Sequence, residues 1–207
     1  MAVRACCISI VDLLQVSNCK SPSHRWQLYK ELSRHVSIDI YGGCGPNKCK
    51  RTRQSTSNTC MEQLGRKYKF YLAFENALCK DYLTEKSYEP LRYNLIPIVY
   101  GLGNYTQALP KGSFINVMDY SSMKELGQYL RSFTKDEKGK RRFEKYFEWR
   151  KTHSIMGARE AYIKSWCRLC EKLHEPLSFK VYEDIVSWWN RTGTCVDANK
   201  VLKQWRL

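Results

Sequence analysis

The sequence predicts an α/β fold of the doubly wound, Rossmann-like class: a parallel sheet covered by helices, closed by a helical tail. Three observations carry this expectation. Short apolar runs alternate with helical patterns in the order β then α. Polar, chemically capable residues gather directly after the most apolar of these runs, where such sheets take their ligands. From about Lys138 onward the strand signals cease and only helical spacing remains, through FEKYFEWRKT, AYIKSWCRLCEKLH and VYEDIVSWWN.

Ile8 to Ser17 is apolar enough for a first strand, and SPSHRWQLYKELSRH follows as a helix with Ser21 at its N-cap and Pro22 at its first position. VSIDIYG (Val36 to Gly42) alternates apolar and polar residues as a second strand. Residues 43–58, rich in Gly, Pro, Cys, Ser and basic side chains, form a loop, and residues 59–67 a short helix. KFYLAFEN (Lys69 to Asn76) reads as a buried strand because aromatic and aliphatic side chains fill it.

Helical spacing returns over Thr84 to Asn94 with Thr84 as N-cap, although Pro90 falls in its interior. IPIVYG (Ile96 to Gly101) is a compact strand, and SFINVMDY (Ser113 to Tyr120) another. Ser122 and Glu125 form a capping box that opens a helix carrying Leu126, Tyr129 and Leu130. The predicted organisation is a sheet domain over residues 1–137 and a helical wrapping over 138–207.

Composition narrows the classes of function. With 43% hydrophobic and 13% aromatic residues in 207, the chain buries enough apolar area to offset the entropy of ordering, so it is folded. A net charge of +15 favours anionic partners: phosphates, anionic lipids, acidic glycans or nucleic acid. The basic residues are spread along the chain, denser only at Lys48 to Arg53 and Lys135 to Arg142, and neither run carries a nucleic-acid motif. A basic binding module stays open on composition alone.

Ten cysteines, with Cys44, Cys49 and Cys60 close together and Cys167, Cys170 and Cys195 near the end, point to disulfides in an oxidising compartment. The glycosylation triplets at Asn104 (NYT) and Asn190 (NRT) point the same way. For the Cys167–Cys170 CxxC, zinc would need two more ligands and only His174 and Cys195 lie near, so structural disulfides come first and no metal site is expected. His24, His35, His153 and His174 are scattered and read as non-catalytic. The apolar stretch Ala5 to Val16 is too short to span a membrane and is interrupted by Asp12. A chain with secretory marks but no address is expected to be part of a longer protein.

Phe70 to Lys86 concentrates Glu75, Asn76, Asp81, Tyr82, Glu85 and Lys86. A helix starting at Thr84 would aim its free N–H groups at an anion, and Lys86 would add a full charge. The residues alone leave a second reading open, a solvated Lys86 paired with Glu85 or Glu89.

The run FYLAFENALCKDYLTEK, continuing through LRYNLIPIVYG, NYT, FINVMDY, KELGQYL and YFEWRK, resembles the GDP-fucose-binding region of the α1,3-fucosyltransferases, the invertebrate members above all. The likeness runs from about Val16 to Trp189. It implies the C-terminal, donor-binding half of a two-domain GT-B-type glycosyltransferase. By position it puts Asn76 and Tyr82 on the nucleotide, Glu85 on the ribose, Lys86 on the diphosphate and Tyr71 in the pocket wall. VSNCKSPSHR resembles the family's first donor strand and helix entry, which places Ser17 and Arg25 on the nucleotide sugar.

The implied reaction is inverting transfer of L-fucose from GDP-fucose to a glycan hydroxyl, with Lys86 and Arg25 as the catalytic pair that stabilises the leaving diphosphate. The implied partners are GDP-fucose and an N-glycan or other glycoconjugate acceptor, not nucleic acid. No cofactor is obligatory, with divalent cations as stimulants at most. The resemblance further implies a lumenal Golgi location through a membrane anchor. The anchor, the acceptor domain and the general base it carries are expected outside these residues, so the chain alone is expected to bind donor weakly and transfer little fucose.

Overall fold

The computed structural model describes residues 11–48, 59–133, 136–176, 181–191 and 195–205. In chain order the sheet domain runs β1 (Val11–Gln15), α1 (Arg25–Leu32), β2 (Ser37–Tyr41), α2 (Thr59–Lys67), β3 (Phe70–Phe74), α3 (Glu85–Tyr88), β4 (Ile96–Tyr100), α4 (Tyr105–Ala108), β5 (Ile115–Asn116) and α5 (Met123–Arg131). Among the described residues, α6 (Glu137–Lys145), α7 (Ala158–His174), α8 (Ile185–Arg191) and α9 (Ala198–Leu202) follow. The five strands form one sheet in the order β2-β1-β3-β4-β5, and every pairing is parallel.

Period-two alternation divides the sheet's side chains between two cores. Phe70, Leu72 and Phe74 of β3, with Ile96, Ile98 and Tyr100 of β4, pack against Leu28 and Leu32 of α1 and Leu126 and Leu130 of α5. Tyr71, Ala73 and Val99 face the other way, onto Met61 and Leu64 of α2, Leu91, Tyr105 and Trp149. All five residues of β3 and of β4 are buried, as a strand covered on both faces must be. Each large side chain so buried stabilises the fold by about 1.5–3 kcal/mol. Because β1 lies between β2 and β3, the order in which strands are added to the sheet reverses between β1 and β3, and this switch point is where the site forms.

Several boundaries differ from the sequence reading. Helix α1 begins at Arg25, after His24 in a left-handed conformation (φ 53°), and not at Ser21 and Pro22. The serines are buried instead: Ser21 and Ser23 meet at 3.2 Å, and the Ser23 hydroxyl donates to the Glu75 carbonyl at 2.6 Å. Both hydroxyls thus face each other and the end of β3, and neither accepts from an N–H of α1. The helix expected over residues 84–94 is one turn, α3, followed by a 3-10 turn that Pro90 opens, because proline tolerates a first position and not an interior one. The strand expected over Ser113 to Tyr120 is cut to two residues, since the Asn116 side chain accepts from the Met118 N–H and starts a turn. The capping box at α5 is displaced by one residue: Ser122 accepts from the Glu125 N–H, but the Glu125 carboxylate returns to Ser121.

Disulfides join Cys19 to Cys44 and Cys79 to Cys195, pairings that the spacing left open. The first closes a span of 25 residues, worth about 3.5 kcal/mol in the chain-entropy picture. Cys60 is also disulfide-bonded, and Cys49 lies outside the described residues. The structural disulfides expected for Cys167 and Cys170, whose partners the sequence left unassigned, are not made within the described residues: both are exposed thiols on α7, a helix whose described side chains are all exposed. The chain returns to the sheet with α9, where Leu202 and Trp205 enter the first core and the Trp205 indole donates to the Tyr120 carbonyl at 2.9 Å. Among the described residues no helix is long and apolar enough to cross a membrane.

Candidate functional site

The site begins with two consecutive residues at the end of β3. Phe74 offers its carbonyl to Arg25 Nη1 at 3.1 Å, while Arg25 Nη2 donates to the carbonyl of Asn18, beyond β1, at 3.0 Å. One guanidinium therefore staples the two strand ends on either side of the switch point. Arg25 is only 5% exposed, and its Nε–H has no hydrogen-bond acceptor among the described residues. Burial lowers the Arg25 pKa, against the opposing charge effects of Glu75, Tyr71 and Tyr82, yet a guanidinium stays protonated at any physiological pH.

Glu75 follows, with a side chain that is fully buried. Its carboxylate accepts from the Thr84 N–H at 2.9 Å and from the Thr84 hydroxyl at 2.8–2.9 Å. Lys86 Nζ stands 3.8 Å away and donates to the Thr84 hydroxyl at 2.9 Å and to Glu85 at 3.1 Å. Thr84 thus occupies the N-cap position of α3 without capping it. The anion that a lysine in a first helical turn requires is supplied from within, by Glu75 and Glu85. A helix of one turn contributes little dipole, so the cationic groups here are the side chains of Arg25 and Lys86, set beside the carboxylates of Glu75, Glu85 and Glu89.

Arg25, Glu85 and Lys86 line a hollow of about 280 Å³ at the switch point. Gln15, Val16 and Ser17 line it from the end of β1, together with Arg25, Tyr71, Glu85, Lys86 and Glu89. The loop after β2 braces the end of β1. The Gly43 N–H donates to the Ser17 hydroxyl at 3.3 Å, and Gly42, at φ +97°, would place a Cβ 2.6 Å from the Val16 carbonyl. Tyr71 is buried, and burial with the nearby Glu85 charge pushes its hydroxyl up, so it stays a neutral phenol. For Glu85, burial acts to raise the pKa, but the hydrogen bond and charge of Lys86 prevail and hold it below the ordinary carboxylate value. Two cations beside two carboxylates suit a ligand that carries both phosphates and hydroxyls.

Of the residues the sequence singled out, Ser17, Arg25, Tyr71, Glu85 and Lys86 share this hollow. Asn76 and Tyr82 stand outside its lining: Asn76 accepts from the Asn18 amide at 3.0 Å and from the Ser23 N–H at 3.1 Å, and Tyr82 is half-buried. Sequence reasoning gave no role to Thr84 beyond a cap and none to Glu75, although a carboxylate directly after five apolar strand residues is a readable signal. Asn104 is exposed and caps α4, accepting from the Gln107 N–H and the Thr106 hydroxyl. Asn190 lies in α8, and its side chain falls outside the described residues. Among the described residues no group of three His, Cys, Asp or Glu is arranged to hold a metal.

A parallel sheet of this strand order, with a charged hollow at its switch point, defines the doubly wound α/β class that takes ligands at the carboxyl ends of its strands. Within that class, residues 10–188 match the model of glycosyltransferase family 10 (fucosyltransferase), C-terminal region, and the chain belongs to this family. It is 39% identical over 186 residues to glycoprotein 3-α-L-fucosyltransferase A of Drosophila melanogaster, covering 87% of this chain and 35% of that protein. It is 34% identical over 195 residues to an α1,3-fucosyltransferase of Caenorhabditis elegans, covering 88% and 43%. Its fold matches the crystal structure of an α1,3-fucosyltransferase with GDP-fucose at a TM-score of 0.58 and 19% identity, over 83% of this chain and 49% of that one. The chain spans less than half the length of the curated relatives it matches.

The depressed Glu85 pKa has a defined sign. The stability Glu85 contributes is present above its unfolded pKa and lost as pH falls through the lower folded value. Acid titrations followed by circular dichroism are expected to show wild type more stable than Glu85→Gln at neutral pH, with the difference vanishing on acidification. A difference that persists unchanged into acid would contradict the Lys86 pairing.

Proposed function

We propose that the chain is the GDP-fucose-binding half of an inverting α1,3-fucosyltransferase that acts in protein glycosylation. The observation that carries this reading is the hollow at the β1–β3 switch point, which gathers Ser17, Arg25, Tyr71, Glu85 and Lys86 from distant parts of the sequence. Arg25 and Lys86 bind the diphosphate, Glu85 accepts from the ribose hydroxyls, Ser17 and Tyr71 bound the pocket, and Asn76 and Tyr82 contact the nucleotide from its rim. As the bond from the anomeric carbon to phosphate breaks, negative charge grows on the departing GDP and the sugar becomes cation-like. Fixed positive groups that hold this charge more tightly than the ground state lower the barrier.

With Arg25 and Lys86 supplying that charge, no metal is obligatory, and divalent cations are stimulants at most. Inversion needs a base on the acceptor hydroxyl. This reading places that base, and the acceptor glycan, on the part of the family's length outside the match. It assigns residues 1–137 to the donor domain and 138–207 to a helical wrapping, and it places the enzyme on the lumenal side of the Golgi membrane. Asn104 and Asn190 are then N-glycan acceptors. Expression through a secretory pathway is expected to give an endoglycosidase-sensitive mass shift that Asn104→Gln reduces; the same shift in that variant removes Asn104 from the assignment.

Calorimetry on the purified chain is expected to show saturable GDP binding that Lys86→Ala weakens roughly ten- to a hundredfold, the worth of a charge-assisted hydrogen bond. Guanosine binding should be unaffected. Salt-sensitive binding of polyanions with no saturable GDP response would instead make the chain a basic binding module.

A further inference from the structure

Lys86 is held in its place by protein partners alone. Its Nζ donates to the Thr84 hydroxyl at 2.9 Å, and that hydroxyl has one proton, which goes to the Glu75 carboxylate 2.8–2.9 Å away. The polarity is consistent along the chain of contacts: ammonium to hydroxyl, hydroxyl to carboxylate. The Thr84 N–H adds a second donor to the same carboxylate at 2.9 Å. Glu75 is fully buried and Lys86 only 20% exposed, so both ends of the relay are shielded from the solvent screening that weakens surface ion pairs. Glu85, by contrast, is 63% exposed and free to exchange its lysine for water or ligand.

We infer that Glu75 and Thr84 are positioning residues for Lys86. The inference rests on the reading of the hollow as a diphosphate site and adds a mechanism to it. A lysine side chain carries about 2 kcal/mol of rotamer entropy. Fixing it against Thr84 before binding removes part of that cost from the binding step and leaves one ammonium N–H for a phosphate oxygen. The Thr84 hydroxyl oxygen accepts from Lys86 Nζ and from no N–H of α3. Neither Glu75 nor Thr84 lines the hollow, so each acts through Lys86 and not on the ligand.

The test is a double-mutant cycle on the full chain, with GDP and guanosine as probes in calorimetry. Thr84→Val removes the hydroxyl at nearly constant shape and is expected to weaken GDP about three- to tenfold while leaving guanosine binding unchanged. Thr84→Ser, which keeps the hydroxyl, should restore wild-type affinity, and in a Lys86→Ala background Thr84→Val should have no further effect. Additive losses in the cycle, equal losses for GDP and guanosine, or failure of serine to rescue would overturn the inference. Should Thr84→Val not fold, Glu75→Gln enters the same cycle under the same requirement of coupling to Lys86. Absence of GDP binding by the wild type would instead sink the donor-site reading. The tether is then judged by nitrogen NMR of the Lys86 ammonium group, whose signal must move in Thr84→Val; an unmoved signal refutes it.

Discussion

A fully buried carboxylate has to be neutralised where it stands, because a lone charge in a protein interior costs several kcal/mol. At Glu75 that requirement organises the whole mouth of the sheet. Its backbone N–H donates to Tyr100 of β4, its carbonyl accepts from Ser23 ahead of α1, and its side chain fixes Thr84 and draws in Lys86. One residue earlier, the Phe74 carbonyl holds Arg25. Both cations of the hollow are therefore placed by adjacent residues at the end of one central strand.

The rest of the fold keeps that strand end fixed. β3 is buried along its whole length and paired on both sides, so its carboxyl end has little freedom to move. The described disulfides act at the same mouth. Cys19–Cys44 ties the loop after β1 to the loop after β2, and Cys79–Cys195 ties the loop after β3 to the segment that leads into α9. A site assembled from loops is thus braced by a rigid sheet beneath and covalent links beside it, which suits a pocket whose charges must stand ready before the ligand arrives.

Much of this was legible in the sequence, for physical reasons that also mark where legibility ended. The apolar runs of β3 and β4 announce themselves because a strand covered on both faces admits few polar residues. The stretch from Glu75 to Lys86 stood out because core packing has no use for it. What the pattern hid were choices decided by tertiary partners. Ser21 looked like a cap but is buried against Ser23, and Thr84 looked like a cap but serves Glu75. The turn after Asn116 depends on a single side-chain acceptor. Cysteine pairing depends on which loops meet in space, which no spacing rule reveals. Glu75 itself was visible as a residue, but its role appeared only with the burial that forces it to find donors.

The claim on which the account turns is that this hollow grips a nucleoside diphosphate through Arg25 and Lys86. Diffraction from crystals of the chain grown with GDP tests it most directly. Density for the diphosphate is expected at the β1–β3 switch point, with phosphate oxygens within hydrogen-bonding distance of Lys86 Nζ and the Arg25 guanidinium. GDP bound elsewhere on the chain, with those two side chains still engaged only with Thr84, Glu85, Phe74 and Asn18, would contradict it.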